Sequence, residues 1–284
     1  MEFMMKETII LTTLFFLLTA AVSVGADELF TFTVKTTAPS NRKLEWRVRQ
    51  PAKYTPDSRI MVLFGGRNWD GAKAIDAYGF GKLADRHGIF LVSPSFKDDD
   101  YWEPEKWSGT AMLEALTLLR QRFGLKGDTK LFYYGYSAGG QCANLFYHWK
   151  PEIVEAWGAH ACGVWFKPET VTAPCPALIT CGENDEGRFL LSSKFVRDAR
   201  EKGYPVIWRG YPGEHELNAG SLRLAELFFD DIAAERRTAV YVGDDQTMNY
   251  YPATSRNAAD IEQEYRNNFF SLKLAECWKT GKQD

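Results

Sequence analysis

The pentapeptide Gly135-Tyr136-Ser137-Ala138-Gly139 constrains this chain more than any other feature. It closes the apolar run Leu131-Phe132-Tyr133-Tyr134 and opens a helix-forming stretch from Gly139 through Tyr147. A strand that runs straight into so sharp a turn strains the backbone, so the residues flanking the serine must be small. Glycine at both ends and Ala138 between them meet that need. The G-x-S-x-G spacing then presents the Ser137 hydroxyl above the end of a sheet, where a base can reach it. Alone, the pentapeptide is a common glycine-serine turn. The strand before it and the helix after it give it meaning.

The same strand-helix texture runs through most of the chain. Two β-rich stretches come first, at 29–35 and 44–49. Phe30, Phe32 and Val34 alternate with Thr31 and Thr33, as in an antiparallel edge strand with one wet face. Residues 60–64 are continuously apolar, as in a strand buried on both faces, and end in Gly65-Gly66. A helix is predicted over 72–87, stopped by Gly88, then a strand over 89–92 and a helix over 105–123. Beyond the nucleophile helix, strands are predicted at 154–159, 177–180 and 206–208, and helices at 189–202 and 217–234. This alternation predicts an α/β fold, a mainly parallel sheet of about eight strands flanked by helices. After Arg237 the pattern weakens. Residues 241–245 read as a short strand or turn, and 268–278 as a final helix packed on the surface of the same domain.

Residues 1–26 read as a signal peptide rather than part of the fold. Lys6 supplies a weak positive flank, residues 9–21 an apolar core too short for a membrane span, and Val24-Gly25-Ala26 a small-residue cleavage site. Export follows, with a single domain over 27–284 and no stable span after cleavage. The net charge of −3 and the absence of a long basic run give no electrostatic case for nucleic acid. Lys97-Asp98-Asp99-Asp100 lacks the spacing and glycine of a calcium loop and reads as solvated. Five cysteines leave at least one without an intrachain partner. Cys162 and Cys175 bracket a short loop and are the first pair expected to bridge, whereas Cys142 reads as a buried apolar residue. No cysteine-histidine spacing suggests a metal site.

A serine hydroxyl needs a base, and only four histidines are available. His87 caps a helix. His148 lies about three turns along the nucleophile helix, roughly 16 Å from Ser137 at the helical rise. His160 follows the next strand and is expected near the rim of the site. His215 lies in the loop after the last core strand, where ligands bind in open parallel sheets, and late enough for the chain order serine, acid, histidine. Its orienting carboxylate is expected at Asp185, in the loop closing the preceding strand, with Glu183 and Glu186 as alternatives. The oxyanion donors are expected to be the backbone N–H of Ala138 and one from the turn Gly65-Gly66-Arg67-Asn68, first Arg67, then Gly66 or Asn68.

With these residues in place, the layout resembles the α/β-hydrolase superfamily over about 44–234. Within it, the chain is similar to exported esterases related to dienelactone hydrolases, polyhydroxybutyrate depolymerases and feruloyl esterases. The resemblance implies a cofactor-free serine esterase acting on small or polymer-borne esters. It has departures. Gly65 stands where that family usually has histidine, and Ser137 stands where dienelactone hydrolases proper carry cysteine. Only residues 162–174 lie where the family often inserts a cap, so a large lid is absent. Trp102, Trp107, Trp165 and Phe166 lie in loops expected near the site, where they would stack on sugar or aromatic acyl groups or pack at loop bases. Two other readings stay open, a peptidase of the prolyl-oligopeptidase type and a glycan-binding protein on a hydrolase scaffold.

Overall fold

Strands without polar alternation need cover on both faces. In the computed structural model, which describes residues 29–35, 43–97, 100–169 and 174–281, helices on the two sides of one sheet supply it. In chain order, β1 (Leu29–Lys35), β2 (Lys43–Arg49) and β3 (Ile60–Phe64) precede α1 (Gly71–Tyr78), α2 (Gly81–His87) and β4 (Phe90–Pro94). A π-helical turn, Pro104–Ser108, leads into α3 (Gly109–Phe123), β5 (Leu131–Tyr136) and α4 (Ala138–Trp149). Then come β6 (Val154–His160), β7 (Ala177–Gly182), α5 (Glu186–Glu201), β8 (Val206–Tyr211) and α6 (Ala219–Ala233).

The sheet order is β1-β2-β4-β3-β5-β6-β7-β8. The pairs β1–β2 and β2–β4 are antiparallel, and every pair from β4 to β8 is parallel. The strand read as doubly covered, β3, is buried along its whole length, and so are β4 and β7. On one face lie α3, α4 and α5, through residues such as Met112, Phe146 and Phe195. On the other lie α1, α2 and α6, through Ile75, Leu83 and Phe228. The fold class thus follows the sequence reading, with both strand runs at 29–35 and 44–49 on the antiparallel side.

Three local expectations need correction. The helix predicted over 72–87 is two helices. Gly79, at φ 67°, ends α1 in the left-handed region and lets the chain restart as α2, which Gly88 ends in the same way. Cys162 and Cys175 do not bridge, and none of the five cysteines forms a disulfide. Parallel strands explain this: Cys162 follows the end of β6 and Cys175 precedes the start of β7, so they sit at opposite edges of the sheet, roughly 20 Å apart at the strand rise. The tail is the third. Residues 268–269 belong to a strand, and the last helix is largely buried on one side. Here β9 (Tyr241–Asp244) is the centre of a small antiparallel sheet between β10 (Asn249–Pro252) and β11 (Arg266–Phe269), with the single-turn helix α7 (Arg256–Ala259) between β10 and β11 and α8 (Leu272–Thr280) after β11.

This tail closes the β8 edge. The Trp208 N–H, which faces away from β7, donates to Asn267 Oδ1 at 2.7 Å. The Trp208 carbonyl accepts from Trp278 Nε1 at 2.6 Å. Arg200 of α5, fully buried, donates to Asn267 Oδ1 at 2.8 Å and pairs with Asp245 at 2.5 Å. Two side chains therefore take up the outward-facing backbone groups that an edge strand leaves open.

Residues 1–26, read as a signal peptide, lie outside the described residues. No helix among the described residues is long and apolar enough to cross a membrane. Between β6 and β7 the described residues form neither helix nor strand, in keeping with the absence of a large cap.

Candidate active site

Ser137 stands alone between β5 and α4, at φ 56° and ψ −121°. Its neighbours show why glycine frames it. A Cβ on Gly135 would lie 2.1 Å from the Gly139 carbonyl oxygen, and a Cβ on Gly139 would lie 1.9 Å from that of Phe64. The second contact brings the start of α4 against the end of β3, so the Ala138 N–H and the turn from Gly65 share one edge of the sheet. Helix geometry leaves the first-turn amides of α4 without intrahelical acceptors.

His215 and Asp185 come from adjacent loops that the backbone ties together. Glu183 N–H donates to the Tyr211 carbonyl at 2.8 Å and Asn184 N–H to that of Gly213 at 2.9 Å. Gly182 is required beneath them, since a Cβ there would lie 2.2 Å from the Glu214 carbonyl oxygen. His215 Nδ1 is 2.7 Å from Asp185 Oδ2, and Nε2 is 2.8 Å from Ser137 Oγ. The carboxylate only accepts, so Nδ1 carries the proton and Nε2 accepts from the serine hydroxyl. Asp185 is buried, whereas Glu183 and Glu186, the two alternatives, are exposed. The other Asp185 oxygen, Oδ1, accepts from Arg188 Nη1 at 3.1 Å, a partner the sequence reading missed.

On the opposite side of Ser137, the Trp69 N–H donates to the Gly66 carbonyl at 3.0 Å and closes the turn through Arg67 and Asn68. Asn68 takes a left-handed conformation, φ 64°, and Arg67 is exposed. Tyr78 links this turn to the elbow. Its hydroxyl donates to the Phe64 carbonyl at 2.6 Å and accepts from Tyr136 N–H at 3.0 Å.

The residues expected to meet substrate mostly have other partners. His160 is the last residue of β6 and is wholly buried, not on the rim. Its Nε2–H donates to the Glu216 carbonyl at 2.8 Å, and its Nδ1 accepts from the Thr180 hydroxyl at 2.8 Å. Burial pushes its pKa down to about 4, keeping the ring neutral. Trp107 is also buried, edge-on to Phe96, with Nε1 donating to Asp100. It borders a cleft of about 390 Å³ with Asp70, Ser95 and Lys97, on the β4 side of the turn from Gly65. Trp102 rests on Tyr101, Trp165 stacks on Phe195 at 4.3 Å, and Phe166 stacks on His148. Loop-base packing accounts for these rings. Among the described residues no group of three or more metal-ligating side chains occurs.

Tyr136 was overlooked in sequence. Its hydroxyl donates to the His215 carbonyl at 2.8 Å, and its ring stacks on the His215 imidazole at 5.2 Å. Its place inside the motif, at the position the elbow leaves free to vary, was the available signal.

No protein-family model and no curated protein matches the sequence. Solved structures do match in shape. A ferulic acid esterase superposes with a TM-score of 0.55 at 17% identity, over 66% of this chain and 91% of its own. The poly(aspartic acid) hydrolase-1 of Sphingomonas sp. KT-1 gives 0.55 at 17% identity, over 70% of this chain and 97% of its own. The S-formylglutathione hydrolase of Staphylococcus aureus gives 0.53 at 13% identity, over 73% and 98%. At such identities the likeness is one of architecture, and the chain has the α/β-hydrolase fold.

Proposed function

We propose that this chain is a serine hydrolase that cleaves carboxylic esters through an acyl-enzyme, with Ser137 as nucleophile, His215 as base and Asp185 as orienting acid. One observation carries the reading: an unbroken pair of hydrogen bonds, at 2.8 and 2.7 Å, from a serine hydroxyl on a strained elbow through an imidazole to a buried carboxylate. Such a set has a specific chemical use. Ser137 Oγ attacks the ester carbonyl as Nε2 takes its proton, and Nε2 then delivers that proton to the leaving alcohol. Asp185 holds the imidazole and favours the imidazolium that forms. Water repeats the sequence on the acyl-enzyme. The oxyanion is met by the Ala138 N–H and by one from the Gly66-Arg67-Asn68 turn, Arg67 first.

The short connection between β6 and β7, with neither helix nor strand among its described residues, favours accessible esters: short acyl groups, acetylated sugars or feruloyl esters on polymers. The shape shared with a ferulic acid esterase and an S-formylglutathione hydrolase supports acyl transfer as the reaction class. Export through residues 1–26 belongs to the same reading, and the mass of the mature chain tests it. Turnover of p-nitrophenyl acetate and butyrate tests the chemistry. Ser137→Ala is expected to lose at least about a thousandfold in kcat. Wild-type turnover no faster than that of Ser137→Ala would end the proposal.

A further inference from the structure

We infer that Tyr136, backed by His160, is the positioning residue that fixes the His215 imidazole against Ser137 and couples it to the oxyanion turn. This rests on the hydrolase reading above. His215 sits in an irregular loop, and the backbone hydrogen bonds that tie this loop to the one after β7 are accepted at Tyr211 and Gly213, short of the His215 carbonyl. Two side chains from neighbouring strands hold the next carbonyls. Tyr136 Oη–H, from β5, donates to the His215 carbonyl at 2.8 Å. His160 Nε2–H, from β6, donates to the next carbonyl, Glu216, at 2.8 Å. Two consecutive carbonyls of the loop are thereby anchored to the parallel core of the sheet.

The Tyr136 ring adds a second constraint. It stacks on the imidazole at 5.2 Å and 27°, and on His160 at 5.9 Å and 27°. Asp185 orients the imidazole from Nδ1, and the ring beneath sets its plane. Tyr136 also borders the oxyanion side. Trp69 lies 5.7 Å from its ring, and a Cβ on Gly66 would come within 3.1 Å of its Cδ1. Its N–H, through the Tyr78 hydroxyl, is tied to the Phe64 carbonyl. One residue in contact with both imidazole and oxyanion turn sets their spacing, which is the quantity that acyl transfer is sensitive to. Its hydroxyl is engaged by a backbone carbonyl and touches no reacting atom, so its part is position, not proton transfer.

The test compares Tyr136→Phe, Tyr136→Leu, His160→Gln and His160→Leu with wild type on p-nitrophenyl acetate. It also follows the rate at which a fluorophosphonate labels Ser137. Tyr136→Phe loses the carbonyl tether and keeps the ring, so kcat is expected to fall roughly tenfold with KM nearly unchanged. Tyr136→Leu loses both, and a fall of roughly a hundredfold is expected. His160→Gln restores an N–H at similar reach and is expected to rescue what His160→Leu loses. Labelling slows in parallel, because it needs the activated serine but no ester pocket. Folded Tyr136→Phe and His160→Leu variants with wild-type kcat and labelling rate, or changes confined to KM, would overturn the inference while leaving the hydrolase reading intact. Wild-type protein without Ser137-dependent turnover or labelling would instead remove the reading on which it stands.

Discussion

Ser137 holds a backbone conformation that a residue with a Cβ rarely adopts, φ 56° with ψ −121°. Such strain costs on the order of 1–3 kcal/mol, and it persists because Gly135, Gly139 and the end of β3 leave the chain no other path. Ser137→Gly removes the strain along with the hydroxyl. After the entropy that a glycine adds to the unfolded chain, a net gain of about 1 kcal/mol is expected, with turnover abolished. Urea midpoints of wild type, Ser137→Ala and Ser137→Gly measure it. A glycine variant less stable than the alanine variant would show that the elbow is relaxed. Gly139→Ala should do the reverse, because its new methyl group would meet the Phe64 carbonyl. The elbow, His215 and Asp185 were legible because strand ends, glycine and a small number of histidines narrow the choice. Tyr136 was not, since nothing local says which way an unconstrained motif position points. His160 misled for a related reason. The strand runs one residue further than its apolar stretch, which buries a polar ring that otherwise reads as rim.

At the level of elements, the apolar runs made β3, β4, β5 and β7 readable, because a strand covered on both faces has no alternative composition. The break at Gly79 was harder, because a single glycine inside an otherwise helical pattern is often tolerated. The tail was least legible. Its strands β9, β10 and β11 are each four residues long, and they are held by a buried polar group from a distant helix rather than by their own pattern. Arg200 is that group. It pairs with Asp245, donates to the Glu264 carbonyl at 2.8 Å and shares Asn267 with the Trp208 amide. Removing one partner leaves a charge in the interior, which costs about 3–5 kcal/mol. Asp245→Ala is therefore expected to loosen the tail from β8 before the main sheet unfolds. Limited proteolysis should cut first between residues 238 and 281, and light scattering should report association through the uncovered edge. Cleavage no faster than in wild type would mean that α8 and Trp278 hold the tail without the charge pair.

Across the whole molecule, the parallel strands deliver Ser137, Asp185 and His215 to one edge, and a buried imidazole beneath that edge, with a carboxylate near the opposite ends of the strands, sets how the protein meets acid. His160 lies where β6, β7 and the His215 loop converge, and burial takes its pKa from an ordinary 6.5 to about 4. Between those values the unfolded chain binds a proton that the folded chain does not. Stability is therefore full above about pH 6.5 and falls as pH drops toward 4, by about 3 kcal/mol in all. A second loss follows at lower pH. The Arg49 guanidinium, by hydrogen bonding, holds the Asp85 carboxyl below its usual range, so that pair stabilises the fold until Asp85 takes up its proton. Acid denaturation should thus show two stages with different owners. His160→Gln removes the first stage because it has nothing to titrate, yet it keeps the donor to the Glu216 carbonyl. Asp85→Asn should flatten the second and spare the first. Urea midpoints measured from pH 7 to 3 separate them, and an unchanged slope between pH 6.5 and 4 in His160→Gln would place the first stage in another group.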